Sequence, residues 1–287
     1  MSDPLVEVKD LTVRIPTRLS GRPAWVHAST QVSTSLHPGK VRALVGESGC
    51  GKSILGSTLI GMLPPGTSTS GSVRIAGEEL LGAPESRWRQ IRGRVCGLVV
   101  QSAVTSLTPT RTMGSQLLET VEVLSGPSGP LELCSRVGLP VEALACYPHE
   151  LSGGMAQRAA VAFALAGDPQ VVIADEPTAS LDPELTDHVL GLLRSCAEAG
   201  AAVLVITHDL RSLERTGVAD DLSVMYAGRI VEQGPAGRVL SAPEEAYTRA
   251  LLGALPEHGM VPIPGSPPSL TDLDPSVTFA DRVRGMA

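Results

Sequence analysis

Eight consecutive residues have the types and the spacing of a phosphate-binding loop. They fit the pattern G-x-x-x-x-G-K-[ST] and are Gly46, Glu47, Ser48, Gly49, Cys50, Gly51, Lys52 and Ser53. Glycines let backbone N–H groups close around phosphate oxygens, Lys52 can reach the outer phosphates, and the Ser53 hydroxyl can bind Mg²⁺. The apolar run 41–45 predicts a buried strand before the loop, and 54–63 predicts a helix after it. This context favours a nucleotide site over a glycine-rich turn without function.

A second segment with adjacent glycines begins a predicted helix. Residues 151–158 read Leu-Ser-Gly-Gly-Met-Ala-Gln-Arg, and Ser152 has the residue type of a helix N-cap. At a helix N-terminus, the Ser152 hydroxyl and the N–H groups of Gly153 and Gly154 can form a second anion site. An ordinary N-cap is the plainer interpretation, and the two interpretations are compatible.

Two carboxylates follow the short apolar run 171–174, namely Asp175 and Glu176. A carboxylate at the end of a strand can hold Mg²⁺ directly or through water, and its neighbour can polarise an attacking water. A lone acidic pair at a strand end is more often just solvated. Because the same chain also has a phosphate loop and the segment 151–158, the catalytic interpretation of Asp175 and Glu176 is favoured.

The composition of the 287-residue chain limits its partners. Its net charge of −7 argues against a nucleic-acid-binding surface. Apolar runs are far shorter than the roughly 18 residues that span a bilayer, so work at a membrane requires spanning helices from another chain. The five cysteines form no C-x-x-C pair and are predicted to be reduced thiols. Cys50, inside the loop, is expected to be exposed when no nucleotide is bound.

The pattern of apolar residues predicts an α/β fold. Alternation over 5–15 predicts half-buried strands, and 16–23 is predicted to be a loop. Continuous apolar runs predict parallel strands covered on both faces at 41–45, 95–100, 171–174 and 202–206. Helices are predicted at 53–62, 184–198 and 210–215.

The chain is predicted to hold one large domain and a tail. The domain covers residues 1–256, and its part at about 103–168 has helical periodicity without a convincing strand, which predicts an inserted helical subdomain. The tail, 257–287, is rich in Pro, Gly and Ser and is predicted to be partly disordered.

Together these motifs resemble the ATP-binding subunits of ABC transporters, over residues 5 to about 255. The resemblance rests on the phosphate loop, on LSGG followed by Gln157 and Arg158, and on the strand that ends in Asp175 and Glu176. It implies ATP and Mg²⁺ as cofactors. It also implies a P-loop NTPase core of ABC type: a mainly parallel sheet with helices, an N-terminal antiparallel β subdomain and an inserted helical subdomain.

The resemblance assigns roles to individual side chains. It implies that Glu176 is the hydrolytic base, that Gln101 contacts Mg²⁺ and the attacking water, and that His208 bonds the γ-phosphate. The implied Mg²⁺ ligands are Ser53, Gln101 and Asp175. Because Lys52, Glu176 and His208 are all present, a non-hydrolysing regulatory subunit is disfavoured.

The resemblance further implies a dimer of ATPase subunits, either identical or paralogous. The subunits pack head to tail, so that Ser152, Gly153 and Gly154 of one close over the ATP on the other, and the loop 180–182 touches the opposite subunit. In the family an aromatic residue upstream of the phosphate loop stacks on adenine. Ile15 stands at the aligned position, so Trp25 either replaces that aromatic residue or packs on the sheet edge.

Further segments resemble the oligopeptide, dipeptide and nickel importer branch, among them 147–150 before LSGG, 225–234 and 246–252. This implies membrane-spanning permease subunits, an extracytoplasmic solute-binding protein, and a peripheral position at the cytoplasmic face of the cell membrane. The alternative is a non-transport ABC ATPase of the DNA-repair or translation type. DNA-repair members insert a long coiled coil between the phosphate loop and LSGG, and the spacing of these two motifs here leaves no room for one. Translation-type members carry two ATPase units on one chain, whereas one set of motifs is found here.

Overall fold

The computed structural model describes residues 3–101, 103–179, 181–274 and 276–285. Ser180, at the start of the predicted dimer-contact loop, lies outside them. The chain divides into two units. The phosphate-loop unit contains Pro4–Leu36, Arg42–Ala83 and Ile206–Ala287, and the helical unit contains mainly Pro84–Val205 with the short segment His37–Val41.

The described residues form ten strands and eleven α-helices. The strands are β1 (Val6–Leu19), β2 (Arg22–Leu36), β3 (Val41–Val45), β4 (Ser68–Ile75), β5 (Glu78–Glu79), β6 (Cys96–Val99), β7 (Val171–Asp175), β8 (Ala202–Ile206), β9 (Asp221–Tyr226) and β10 (Arg229–Pro235). The helices are α1 (Lys52–Leu59), α2 (Glu85–Ile91), α3 (Ala103–Ser106), α4 (Met113–Leu124), α5 (Pro130–Arg136), α6 (Gly153–Leu165), α7 (Pro183–Glu198), α8 (Leu210–Thr216), α9 (Ala236–Ser241), α10 (Ala246–Gly253) and α11 (Phe279–Val283).

The phosphate-loop unit contains both antiparallel and parallel strand pairs. Its N-terminal sheet has the order β2-β1-β4-β5, and its pairs are antiparallel. This confirms the antiparallel β subdomain that the resemblance implied. In the same unit β3 runs parallel to β9, and β9 pairs antiparallel with β10. The buried, Val- and Leu-rich β3 delivers the chain directly into the phosphate loop.

The prediction of a loop at residues 16–23 is wrong. β1 continues to Leu19 and turns back into β2 through Ser20 and Gly21, both of which have positive φ (51° and 82°), as a two-residue hairpin requires. Pro16 pairs with Trp25 on β2, but the pairing of β1 with β4 ends at Arg14. The missing N–H of Pro16 therefore faces an open edge, where a strand tolerates proline.

The helical unit surrounds the parallel pair β6 and β7. The Ala202 N–H, at the start of β8, donates to the carbonyl of Gln170 just before β7, so these two strands start side by side. The described residues between 103 and 168 contain helices and 3₁₀ turns and no strand, as predicted. The alanine-rich α6 approaches β6 so closely that a Cβ on Gly97 would lie 2.2 Å from the carbonyl oxygen of Ala164.

The division of the chain at residue 257 stays a prediction. The described tail residues include α11 and a 3₁₀ turn at Pro256–His258, and Val26 forms a β-bridge with Thr271 of the tail. Among the described residues, the helices are all too short or too polar to cross a bilayer.

We predict that Gly97→Ala destabilises the helical unit. The added methyl group would collide with the Ala164 carbonyl, and relieving such overpacking costs about 1–3 kcal/mol. The matched control is Gly191→Ala in α7, where a Cβ meets nothing within 4 Å and should stabilise the helix by roughly 0.5–1 kcal/mol. Thermal unfolding should give a lower Tm for the first variant and an unchanged or higher Tm for the second. Equal shifts would show that α6 does not constrain residue 97.

Candidate functional site

The phosphate loop is held by two backbone contacts that only glycine permits. Gly46 has φ 153°, and a Cβ there would lie 2.2 Å from the carbonyl oxygen of Met225 on β9. Gly51 has φ 108°, and a Cβ there would lie 2.1 Å from the carbonyl oxygen of Ala28 on β2. Strands from both sheets of the phosphate-loop unit therefore set the path of the loop. Glycine is required at both positions because neither the conformation nor the space admits a side chain.

The Lys52 ammonium lies inside this loop. Lys52 is buried, and its Nζ donates to the carbonyl oxygens of Gly46 at 2.8 Å and Glu47 at 3.0 Å. Both acceptors are neutral, so a phosphate oxygen offers the ammonium a stronger, charge-assisted partner. The loop also ends at the N-terminus of α1, where the helix dipole favours an anion. A buried cation within a glycine cradle fits the triphosphate of ATP.

The role of Ser53 of this unit as a Mg²⁺ ligand stays a prediction. Ser53 is exposed in the first turn of α1, directly after Lys52. A hydroxyl oxygen is a donor that a hard cation accepts. Mg²⁺ usually retains water and phosphate ligands beside one or two protein groups.

The expectation that Cys50 is exposed is wrong. Cys50 is 8% exposed, and its Sγ lies 3.9 Å from the Lys52 Nζ. Its side chain points into the unit because the loop folds around Lys52. Burial raises the pKa of this thiol, and the positive charge of Lys52 offsets this only in part.

The phosphate-loop unit also brings His208 and Trp25 to the surroundings of the loop. The Thr207 N–H donates to the Leu44 carbonyl at 3.1 Å, which places the exposed His208 beside the end of β3, where the loop begins. Trp25 is 40% exposed and lies on β2, three residues before Ala28. At about 3.3 Å per residue, that is roughly 10 Å along the strand from the point where β2 touches the loop. Adenine stacking on Trp25 stays a prediction.

The helical unit brings Gln101, Asp175 and Glu176 to one edge of its parallel strands. Val99 on β6 is in register with Ala174 on β7, and the three polar residues follow at the carboxyl ends of these two strands. Neighbouring strands lie about 4.8 Å apart, so the amide and the two carboxylates are brought to the same edge. Ligands bind at the carboxyl ends of strands in open α/β sheets.

The backbone of Glu176 adopts a conformation that the sequence did not reveal. Its φ is 47°, in the left-handed region that residues other than glycine seldom adopt. Such a conformation costs on the order of 1–3 kcal/mol and is found preferentially at functional sites. The turn that follows is closed by the Ala179 N–H, which donates to the Glu176 carbonyl at 3.2 Å. Asp168 of this unit shares the left-handed conformation (φ 52°), but of the two carboxylates only Glu176 directly follows the carboxyl end of β7.

Ser152, Gly153 and Gly154 lie at the N-terminus of α6. The Ser152 Oγ accepts a hydrogen bond from the Met155 N–H at 3.2 Å, which confirms the N-cap. Ser152 and Gly153 are exposed, whereas Gly154 is buried, and a Cβ on Gly154 would lie 2.8 Å from both Cδ atoms of Leu185. The first turn of α6 thus presents a hydroxyl and N–H groups to solvent.

Two residues near the C-terminus contact the phosphate loop and were not singled out as site residues from the sequence. The Tyr247 hydroxyl accepts a hydrogen bond from the Glu47 N–H at 3.0 Å, and the Arg282 guanidinium pairs with the Glu47 carboxylate. Both residues lie about 200 positions or more from the loop in sequence. A single sequence carries no signal of such contacts.

We predict that Cys50 reacts slowly with thiol reagents in the folded protein. Burial keeps it from the reagent, and its raised pKa lowers the thiolate fraction at neutral pH. The half-exposed Cys146 should react first. The rate at Cys50 should keep rising above pH 9, where an unperturbed thiol levels off, as followed by mass spectrometry of labelled peptides. Labelling of Cys50 as fast as Cys146 at pH 7.5 would contradict the burial.

Comparisons with known proteins agree with this geometry. Residues 29–179 match the ABC transporter family. The chain is 40% identical over 97% of its length to the oligopeptide transport ATP-binding protein OppD of Mycobacterium tuberculosis, and it spans about half the length of that relative (47%). It is 37% identical over 98% of its length to the probable D,D-dipeptide transport ATP-binding protein DdpD of Escherichia coli, covering 89% of that protein.

Solved structures show the same fold. An ATP-binding cassette solved as a dimer with ADP and Pi superposes with a TM-score of 0.68 at 24% identity, over 80% of this chain and 98% of that one. The cassette fold of this chain thus carries the three features described above. These are the glycines that shape a phosphate loop, the buried lysine within that loop and the capped helix that begins at LSGG. This chain belongs to the ABC transporter family.

Proposed function

We propose that this subunit hydrolyses ATP to drive the import of short peptides, nickel or other metal chelates, or related small solutes. The observation that carries the ATPase part is the buried Lys52 ammonium inside a loop that only glycines can form. The solute class rests on the similarity to proteins named for oligopeptide and dipeptide transport. Of the candidate solutes, short peptides have the strongest support from these relatives.

Each predicted site residue has a task in this proposal. Lys52 and the loop N–H groups hold the outer phosphates of ATP, and His208 donates to the γ-phosphate. Glu176 accepts a proton from the attacking water, and Gln101 orients that water. Mg²⁺, when bound by Ser53, Gln101 and Asp175, supplies charge neutralisation for the phosphates.

We also propose that the chain works with a second ATPase subunit, identical or paralogous. The exposed Ser152 hydroxyl and the N-terminal N–H groups of α6 form an anion site at the surface. A second subunit can present its bound ATP to this surface, and loss of the γ-phosphate then weakens the dimer. An extracytoplasmic solute-binding protein completes the proposed system.

A groove of the helical unit is the proposed contact for a membrane-spanning permease subunit. It encloses about 440 Å³ between β6, α4 and α6, and the residues lining it include Leu98, Val100, Leu107 and Phe163. Gln116 fixes one wall, since its side chain bonds both the N–H and the carbonyl of Thr108 (2.8 and 3.1 Å). Val100 directly precedes Gln101, so a segment seated in this groove would contact the strand end that carries a catalytic residue. We infer that the chain therefore lies peripherally at the cytoplasmic face of the membrane.

A non-transport role in DNA repair or translation is less well supported. The described part of the chain between the phosphate loop and LSGG contains short helices and no coiled coil. The relatives described above are named as transport proteins.

We predict that Glu176→Gln abolishes turnover while ATP binding persists. The amide keeps the size of the side chain but cannot accept the proton of the water, and loss of a general base costs about 10²–10⁴ in rate. Phosphate release should be measured together with ATP affinity. The matched control is Glu198→Gln at the exposed end of α7, which should hydrolyse normally. Turnover of Glu176→Gln within a few fold of the wild type would remove Glu176 as the base.

We predict that the groove is required for assembly with the permease. Leu107→Arg places a charge in the apolar wall of the groove, whereas Leu118→Arg places the same charge on the exposed side of α4. Affinity purification from detergent-solubilised native membranes should recover spanning subunits with the wild type and Leu118→Arg, but not with Leu107→Arg. ATP binding should be retained in both variants. Recovery of spanning subunits with Leu107→Arg would place the contact elsewhere.

A further inference from the structure

The C-terminal tail reaches the nucleotide-binding elements of its own unit at two places. At the first, residues 270–272 run along β2. The His27 N–H donates to the Leu270 carbonyl at 2.8 Å, and the Asp272 N–H donates to the Trp25 carbonyl at 2.7 Å. The Trp25 N–H in turn donates to the Asp272 side chain at 2.9 Å. The tail therefore fixes the backbone of the segment that carries the candidate adenine platform.

At the second place, an aromatic cluster positions α11. Phe279 of this helix packs edge-on against Tyr226 and Tyr247, with ring centroids 5.8 and 5.4 Å away, and the two tyrosine rings lie 4.5 Å apart. Tyr226 ends β9, and Tyr247 is fully buried on α10. Pairs of this kind contribute about 0.5–1.5 kcal/mol beyond their buried area, so the short α11 gains most of its support from the cluster.

The cluster places Arg282 against the phosphate loop. Arg282 is only 3% exposed, and its Nη1 and Nη2 lie 2.6 and 3.2 Å from the two carboxylate oxygens of Glu47. Its Nε donates to the Pro264 carbonyl at 2.8 Å, and Nη2 also donates to the Gly265 carbonyl at 3.1 Å. A buried guanidinium with bidentate pairing and satisfied donors is a specific arrangement, since unpaired burial of the same charge would be costly.

Glu47 is the residue through which this contact acts on the nucleotide. Its carbonyl accepts from the Lys52 ammonium, and its N–H donates to the Tyr247 hydroxyl. Its carboxylate is a negative charge within a loop built to bind phosphate. Arg282 pairs with that charge, while the Tyr247 hydroxyl holds the Glu47 peptide through its N–H.

We propose that the tail is a clamp on the phosphate loop, with Arg282 as a positioning residue for nucleotide binding that acts through Glu47. This inference rests on the proposed ATP binding. Without Arg282, the Glu47 carboxylate is uncompensated and repels the phosphates of the nucleotide. The tail thus contributes to ATP affinity although it is distant from the phosphate loop in sequence.

The test is the Kd of the full-length chain for Mg-ATP, measured by calorimetry. Arg282→Met keeps the length and packing of the side chain and removes its charge, and we expect binding to weaken about tenfold. The matched control is Arg284→Met, an exposed arginine two residues further along, which should bind normally. In steady-state hydrolysis KM should rise with Arg282→Met and kcat should change little, because Arg282 does not touch the reacting groups.

A second substitution separates charge from packing. If the unpaired carboxylate causes the loss, Arg282→Met combined with Glu47→Gln should recover most of the ATP affinity. A double variant as weak as Arg282→Met alone, or an Arg282→Met chain with wild-type affinity, would overturn the proposal. Failure of the wild type to bind Mg-ATP would instead refute the proposed function itself.

The wild-type chain supplies a measurement that needs no variant, should Arg282→Met fail to fold. Coupling between two sites is reciprocal, so saturating Mg-ATP must stabilise the clamp if the clamp favours ATP. Hydrogen exchange of the amides of α11 should slow in the presence of Mg-ATP. Identical exchange with and without nucleotide would contradict the clamp.

Discussion

The structure of the phosphate-loop unit depends on one constraint, which is the close approach of backbone to backbone around an anion site. A loop that binds phosphate with its own N–H groups must be wound tightly and held from outside. Here Gly46 meets the backbone of β9 and Gly51 meets the backbone of β2, at separations that exclude any Cβ. The N-terminal antiparallel sheet therefore has a direct structural role at the phosphate loop, because Ala28 of β2 forms part of the wall that shapes the loop.

The helical unit meets a different requirement, the placement of carboxylates and an amide where two parallel strands end. The register of β6 against β7 brings Gln101, Asp175 and Glu176 to one edge. Close contact between α6 and Gly97 keeps β6 in place, and the small side chains of α6 make that contact possible in a chain with only 2% aromatic residues. The left-handed backbone of Glu176 is the strain that this unit maintains at the strand end.

Interactions over long sequence distances complete the loop. Tyr247 bonds Glu47 through its backbone N–H, and Arg282 bonds it through its side chain. Neither partner belongs to the G-x-x-x-x-G-K-[ST] pattern that defines the loop. A buried guanidinium needs hydrogen-bond partners, and here the loop carboxylate and two tail carbonyls accept four hydrogen bonds from it. The same hydrogen bonds therefore order both the tail and the loop.

The sequence by itself determined the features that depend on neighbouring residues. Four such features follow from residue type and spacing, since capping and periodicity are local. They are the phosphate loop between a strand and a helix, the N-cap at Ser152, the start of α7 at Pro183 and the short apolar strands. Tertiary structure alone decided the burial of Cys50, the extension of β1 through Pro16, the backbone conformation of Glu176 and the pairing of Arg282 with Glu47. Each of these is set by a segment brought close only when the chain folds. Arg282 and Glu47 are 235 residues apart, and no local pattern specifies a contact over that distance.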